Sequence, residues 1–66
     1  MTVVLNGELS EARGATTVAD LVQAYQLPPQ GVLIEHNGLA LHRHEWPGRA
    51  LAEGDQIEFI RVVAGG

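Results

Sequence analysis

Two Asn-Gly pairs, Asn6-Gly7 and Asn37-Gly38, bracket the one stretch of helical periodicity in this chain. Asn-Gly is favoured where a two-residue turn needs positive φ at both central positions, so each pair predicts a β-hairpin. Thr2-Val3-Val4-Leu5 enters the first turn as a strand, and Glu8 to Arg13 returns from it, polar enough for an edge. Gly14-Ala15 breaks that pattern. Val32-Leu33-Ile34 enters the second turn, and a short strand from Leu39 to Arg43 leaves it. Between the hairpins, Val18, Leu21, Val22 and Tyr25 fall at i, i+3, i+4 and i+7, one apolar stripe on a helix. Thr17 is placed to cap its start with Asp20 in the first turn, and Pro28-Pro29 is expected to end it. From His44 to Asp55 the chain reads as irregular connection, with turns at Trp46-Pro47-Gly48 and Glu53-Gly54-Asp55. Leu51 is expected to enter the core. A last strand, "QIEFIRVV", then runs toward the end.

Hairpin, helix, hairpin, strand is an α+β order. One amphipathic helix covers one face of a mixed sheet of four to five strands, with the last strand beside the first hairpin. A right-handed crossover fits this order, and the arrangement is the ubiquitin-like β-grasp. Residues 1–66 are read as a single domain with a flexible tail over 63–66. A chain of 66 residues has a thin margin of stability. With no Cys, neither disulfides nor a thiolate-held metal can reinforce it, so one apolar core must hold the fold.

Alternation along the last strand places Ile57 and Phe59 on one face and Ile60 and Val62 on the other. The first pair, with Val3 and Leu5, is expected under the helix. Val4, Ile60 and Val62 are then left on an uncovered face, as an apolar patch beside the tail. Such a cluster often marks a docking surface, while Ile60 and Val62 also fit plain strand propensity.

Eight acidic residues against four arginines give a net charge of −4, without a basic stretch. That argues against a nucleic-acid partner and fits docking onto more basic protein surfaces. The sequence has neither a membrane-length apolar run nor a signal-peptide pattern, so a cytoplasmic protein, monomeric when free, is expected.

The ending "RVVAGG" is unusual for a domain with so little stability to spare, because a terminal glycine pair packs nothing. One reading is a frayed end; the other is that the terminus is the working part. The chain also has no Lys, so an activated terminal carboxylate would meet few internal nucleophiles.

"NG" near the start, "TTVADLV" in the helix, "EGDQIEF" before the last strand and a terminal "VVAGG" together resemble the ThiS-like family of ubiquitin-like sulfur carriers, across the whole chain. The resemblance implies a protein that is not itself an enzyme. Its Gly66 carboxylate would be adenylated and then converted to a thiocarboxylate that donates sulfur to thiazole synthesis in thiamine biosynthesis. Gly65 would supply a slender, flexible approach. No cofactor would be bound, and ATP would be used by the partner. The partners implied are a ThiF-like adenylyltransferase, a ThiG-like thiazole synthase, and a cysteine desulfurase or relay as sulfur source. Docking would fall on Val4, Ile60, Val62, Val63 and Ala64. The small subunit of molybdopterin synthase, another sulfur carrier and a ubiquitin-like protein modifier share these features and remain alternatives, as does an interaction module with an inert tail.

The remaining candidates read as structural. His42 and His44 share a face if their segment is a strand, but no carboxylate or third His is placed convincingly beside them. His36, His42 and His44 are therefore expected at the surface, and no metal site is assigned. Trp46 is expected as a lid over one end of the core, Tyr25 as core edge, and Glu53 and Asp55 as turn residues.

Overall fold

The computed structural model describes residues 1–62; Val63, Ala64, Gly65 and Gly66 lie outside the described residues. Five strands form one sheet in the order β2-β1-β5-β3-β4. They are β1 (Thr2–Leu5), β2 (Glu8–Glu11), β3 (Val32–His36), β4 (Leu39–Leu41) and β5 (Gln56–Arg61). β1 and β5 run parallel, and the other neighbours are antiparallel, so the sheet is mixed. One helix, α1 (Val18–Ala24), packs on one face. The expected α+β, β-grasp architecture is the observed one.

Local chemistry accounts for most boundaries. Both Asn-Gly turns have the two positive φ values that a tight hairpin turn requires, with Asn6 at 48° and Asn37 at 50°. Thr17 caps α1 by accepting from the Asp20 N–H, while Asp20 accepts from the Thr16 and Thr17 N–H groups. The prolines do not end the helix. It stops at Ala24 because Gln26 turns left-handed, with φ of 53°. The Leu27 and Gln26 N–H groups then bond back to the Val22 and Gln23 carbonyls, closing the end before Pro28 is reached. β2 is shorter than expected because Arg13 has φ of 55°, which no strand accommodates. β4 also stops early, at Leu41. There His42 N–H donates to Glu45 Oε1 at 2.7 Å and the chain winds into a 3-10 helix over Arg43–Gly48.

The core fills the space between α1 and the inner face of the sheet. Val3, Leu5, Ile34 and Ile57 from the sheet meet Val18, Leu21 and Val22 from the helix. Phe59 and Tyr25 are partly buried against this cluster, and Leu51 and Trp46 belong to it. Tyr25 also donates from its hydroxyl to the Glu11 carbonyl at 2.7 Å, with the Arg13 guanidinium over its ring. Among the described residues, no helix is long and apolar enough to cross a membrane.

Candidate functional site

β5 is the last strand of the described residues, and it is held from both sides. On one side β3 pairs with it from His36↔Ile57 to Val32↔Arg61, and the Val62 N–H reaches the Gly31 carbonyl at 2.9 Å. On the other side β1 accompanies it only through Val4↔Gln56 and Leu5↔Ile57 before turning away at Asn6.

The start of β5 is fixed by a polar cluster that the sequence did not reveal. His36 is buried, not at the surface, because it follows Ile34 in phase on the inner face of β3. Its Nδ1 accepts from Arg49 Nε at 2.9 Å, which leaves Nε2–H to donate to Asp55 Oδ2 at 2.7 Å. Asp55 accepts further from the Ala52 N–H and the Asn37 side-chain amide. Burial alone would push the Asp55 carboxyl up; the hydrogen bonds from His36, the Ala52 N–H and Asn37 outweigh it and hold the carboxyl below its ordinary value. Asp55 is therefore more than a turn residue. His42 and His44 are exposed as expected, their rings stacked 5.6 Å apart.

The outer face of the sheet has no helix over it among the described residues. Ile60 is 44% exposed, Val62 54%, and the cross-strand neighbour of Ile60, Leu33, 56%. Leu33 was not among the expected docking residues; it is visible only once the register between β3 and β5 is known. Val4 faces outward too, but beside Gln56, four residues before Ile60, and its own neighbour is Leu9 on β2. The expected single patch is therefore two. Val4 and Leu9 form one at the start of β5, and Leu33 with Ile60 forms the other at its end, near Val62. Glu35 and Glu58 stand directly opposite each other between them. Adjacent to Leu33, Pro29, Val32, Leu41, Arg43 and Trp46 line a shallow cleft of about 410 Å³. Trp46, also on that cleft, is buried and belongs to the core cluster.

The expected tail residues Val63, Ala64, Gly65 and Gly66 lie outside the described residues.

Comparison with known proteins agrees with this architecture. The ThiS family model matches residues 3–66. A thiazole synthase of Magnetococcus marinus is 33% identical over the 66 residues, all of this chain but 20% of that protein. The chain thus spans about a fifth of that relative's length. The sulfur carrier protein ThiS of Escherichia coli is 26% identical, with both chains covered end to end. The crystal structure of the thiamine biosynthesis protein ThiS of Geobacter metallireducens superimposes with a TM-score of 0.83 at 30% identity over the full length of both chains. The solution structure of a thiamine biosynthesis protein from the same organism gives 0.79 over 88% of its length.

Proposed function

Because the chain belongs to the ThiS family, we propose that it is a sulfur carrier of thiamine biosynthesis whose working group is the Gly66 carboxylate. The family match carries the reading, since it runs from Val3 through the last glycine and includes both the folded body and the tail.

The chemistry requires that tail. A carboxylate is a poor acyl donor, because its anion is resonance-stabilised and oxide does not leave. Attack of a Gly66 carboxylate oxygen on the α-phosphorus of ATP forms an acyl-adenylate and releases pyrophosphate. A sulfide-level nucleophile then attacks the acyl carbon, the C–S bond forms, AMP departs, and a thiocarboxylate remains. Without a Cβ, Gly65 and Gly66 fit a narrow channel and leave both sides of the carbonyl open. The folded body does no chemistry in this scheme; it is a co-substrate.

Three partners follow, working in the cytoplasm. A ThiF-like adenylyltransferase uses ATP to activate Gly66. A cysteine desulfurase or relay supplies sulfur as a persulfide that a thiol reductant releases at the sulfide level, and a thiazole synthase receives it. The relative named thiazole synthase, a fifth of which aligns with this whole chain, supports the last of these. The exposed Leu33–Ile60 patch with Val62 supports docking at the tail end of the sheet. The Glu35–Glu58 pair suits a partner surface with a basic residue there, since like charges directly opposite each other are unfavourable alone.

Intact-mass measurement tests the reading. Incubated with the adenylyltransferase, ATP and a sulfur source, the full chain gains the mass difference between sulfur and oxygen. A chain lacking Gly65 and Gly66 stays unchanged. A truncated chain that still supports thiazole formation in cells overturns the proposal.

A further inference from the structure

Asn6 does more than form a turn. It occupies the first central position of the β1–β2 turn, where its left-handed φ already accounts for an Asn. Its backbone N–H donates to the Ile57 carbonyl at 2.9 Å, the last main-chain rung between β1 and β5. One rung further on, its side chain takes over. Asn6 Oδ1 accepts from the Phe59 N–H at 2.8 Å, and Asn6 Nδ2 lies 3.4 Å from the Phe59 carbonyl. The side-chain amide stands where the next peptide group of β1 would be had the strand not turned. Asn37 does the same at the other end, accepting from the Gln56 N–H at 2.8 Å.

Resting on the sulfur-carrier reading, we propose that Asn6 is a positioning residue for the reaction: its amide fixes the direction in which β5 leaves the sheet toward Gly66. Past Phe59, the described residues hold β5 only along β3, through Arg61 and the Val62–Gly31 bond. A strand tied along one edge pivots about that edge; a strand tied along both does not. Asn6 supplies the second tie at Phe59, two residues before β5 ends. Without it, the end of β5 up to Val62 is held along one edge only, and a smaller fraction of molecules offers the partner the right approach. Apparent affinity falls by that fraction, while the bound complex, once formed, is the same. The signature is a raised KM for the carrier with an unchanged kcat.

Asn6→Gly isolates this role, because glycine keeps the positive φ of the turn and removes only the side chain. Tyr25→Phe is the control. It removes the hydroxyl bond to the Glu11 carbonyl, a comparable loss of stability in a residue that is not on β5. The experiment measures ATP–pyrophosphate exchange by the adenylyltransferase against carrier concentration, with amide hydrogen exchange at Phe59. For Asn6→Gly the expected result is faster exchange at Phe59 and a KM raised about fivefold to tenfold, the size of a hydrogen bond or two. Its kcat stays within about twofold, and Tyr25→Phe leaves KM unchanged. An unchanged KM in Asn6→Gly, wild-type protection at Phe59, or an equal KM rise in Tyr25→Phe overturns the proposal. If the wild-type chain elicits no exchange at all, the carrier reading itself has failed, and the proposal with it.

Discussion

Where β5 begins, the carboxylate of Asp55 gathers a buried histidine, a turn amide and an asparagine, and Ile57 is wholly inaccessible beneath α1. Where it ends, Ile60 and Val62 are half exposed, and the ties are the pairing with β3, the Val62 bond to Gly31 and the Asn6 amide. Along one strand the surroundings thus pass from buried core and a polar cluster to an exposed apolar face. A domain of this size has about 3–10 kcal/mol of stability in all, so it can be concentrated in only one place. Concentrating it at the start leaves the end free to meet another protein. Stability effects should therefore shrink along β5 as effects on partner handling grow, and substitutions placed along the strand test that gradient.

Ile57→Ala is the harshest. Ile57 has no exposed surface and touches the centre of the core, so truncation removes apolar burial and leaves a cavity. The expected cost is about 3–4 kcal/mol, a large share of what the domain has. Urea denaturation should show the midpoint collapsing. A shift smaller than that of Asp55→Ala would mean that the core is not what holds the start of β5.

Asp55→Ala comes next. It leaves the His36 Nε2–H, the Asn37 amide and the Ala52 N–H without their acceptor, at an expected cost of about 2–3 kcal/mol. The pH dependence sharpens the test. The folded-state value of Asp55 is depressed, so its contribution is present above about pH 4, the ordinary Asp value, and is lost as the pH falls through the lower, folded one. Asp20 is depressed as well, chiefly by the Thr16 N–H and hydroxyl, and keeps its share in both proteins. The wild-type stability curve should fall below pH 4, and that of Asp55→Ala should fall less. Parallel acid limbs would show that the Asp55 cluster does not fix this end.

How much of this was legible in the sequence depends on how far the determining contacts reach. The Thr17–Asp20 cap and both hairpin turns were readable because all their atoms come from a few consecutive residues. The helix end was not, because Gln26 took the left-handed position that a glycine signal would have announced. His36 carries a signal in the sequence, because Val32, Ile34 and His36 alternate onto one face. Its partners Arg49 and Asp55 lie 13 and 19 residues away, so nothing local told it from a surface histidine. The split of the outer patch needed the strand register, which puts Val4 beside Gln56 and Leu33 beside Ile60. Asn6 was hidden differently. Its turn position already explained its identity, so a second role left no mark on the sequence. The chemistry of the terminal glycines came through a family resemblance, not from periodicity or charge.

The smallest stability effect belongs to Ile60→Ser, and there the gradient is most exposed to failure. Ile60 faces outward and loses little burial, so only its strand preference and its contact with Leu33 are at stake, worth about 0.5 kcal/mol. Its denaturation midpoint should nearly overlay that of the wild type. If the end of β5 is a docking surface, the same change removes an apolar anchor next to the tail. The KM of the adenylyltransferase for the carrier should then rise about tenfold, as expected for an interface residue worth over 1 kcal/mol. Unlike Asn6→Gly, it should leave amide exchange at Phe59 untouched, because it alters what the partner grips and not how the strand is aimed. A protein with normal stability, normal Phe59 protection and normal KM would show that the partner ignores this face. The exposed Leu33–Ile60 pair would then be strand chemistry left in water, and the open end of β5 would serve the tail alone.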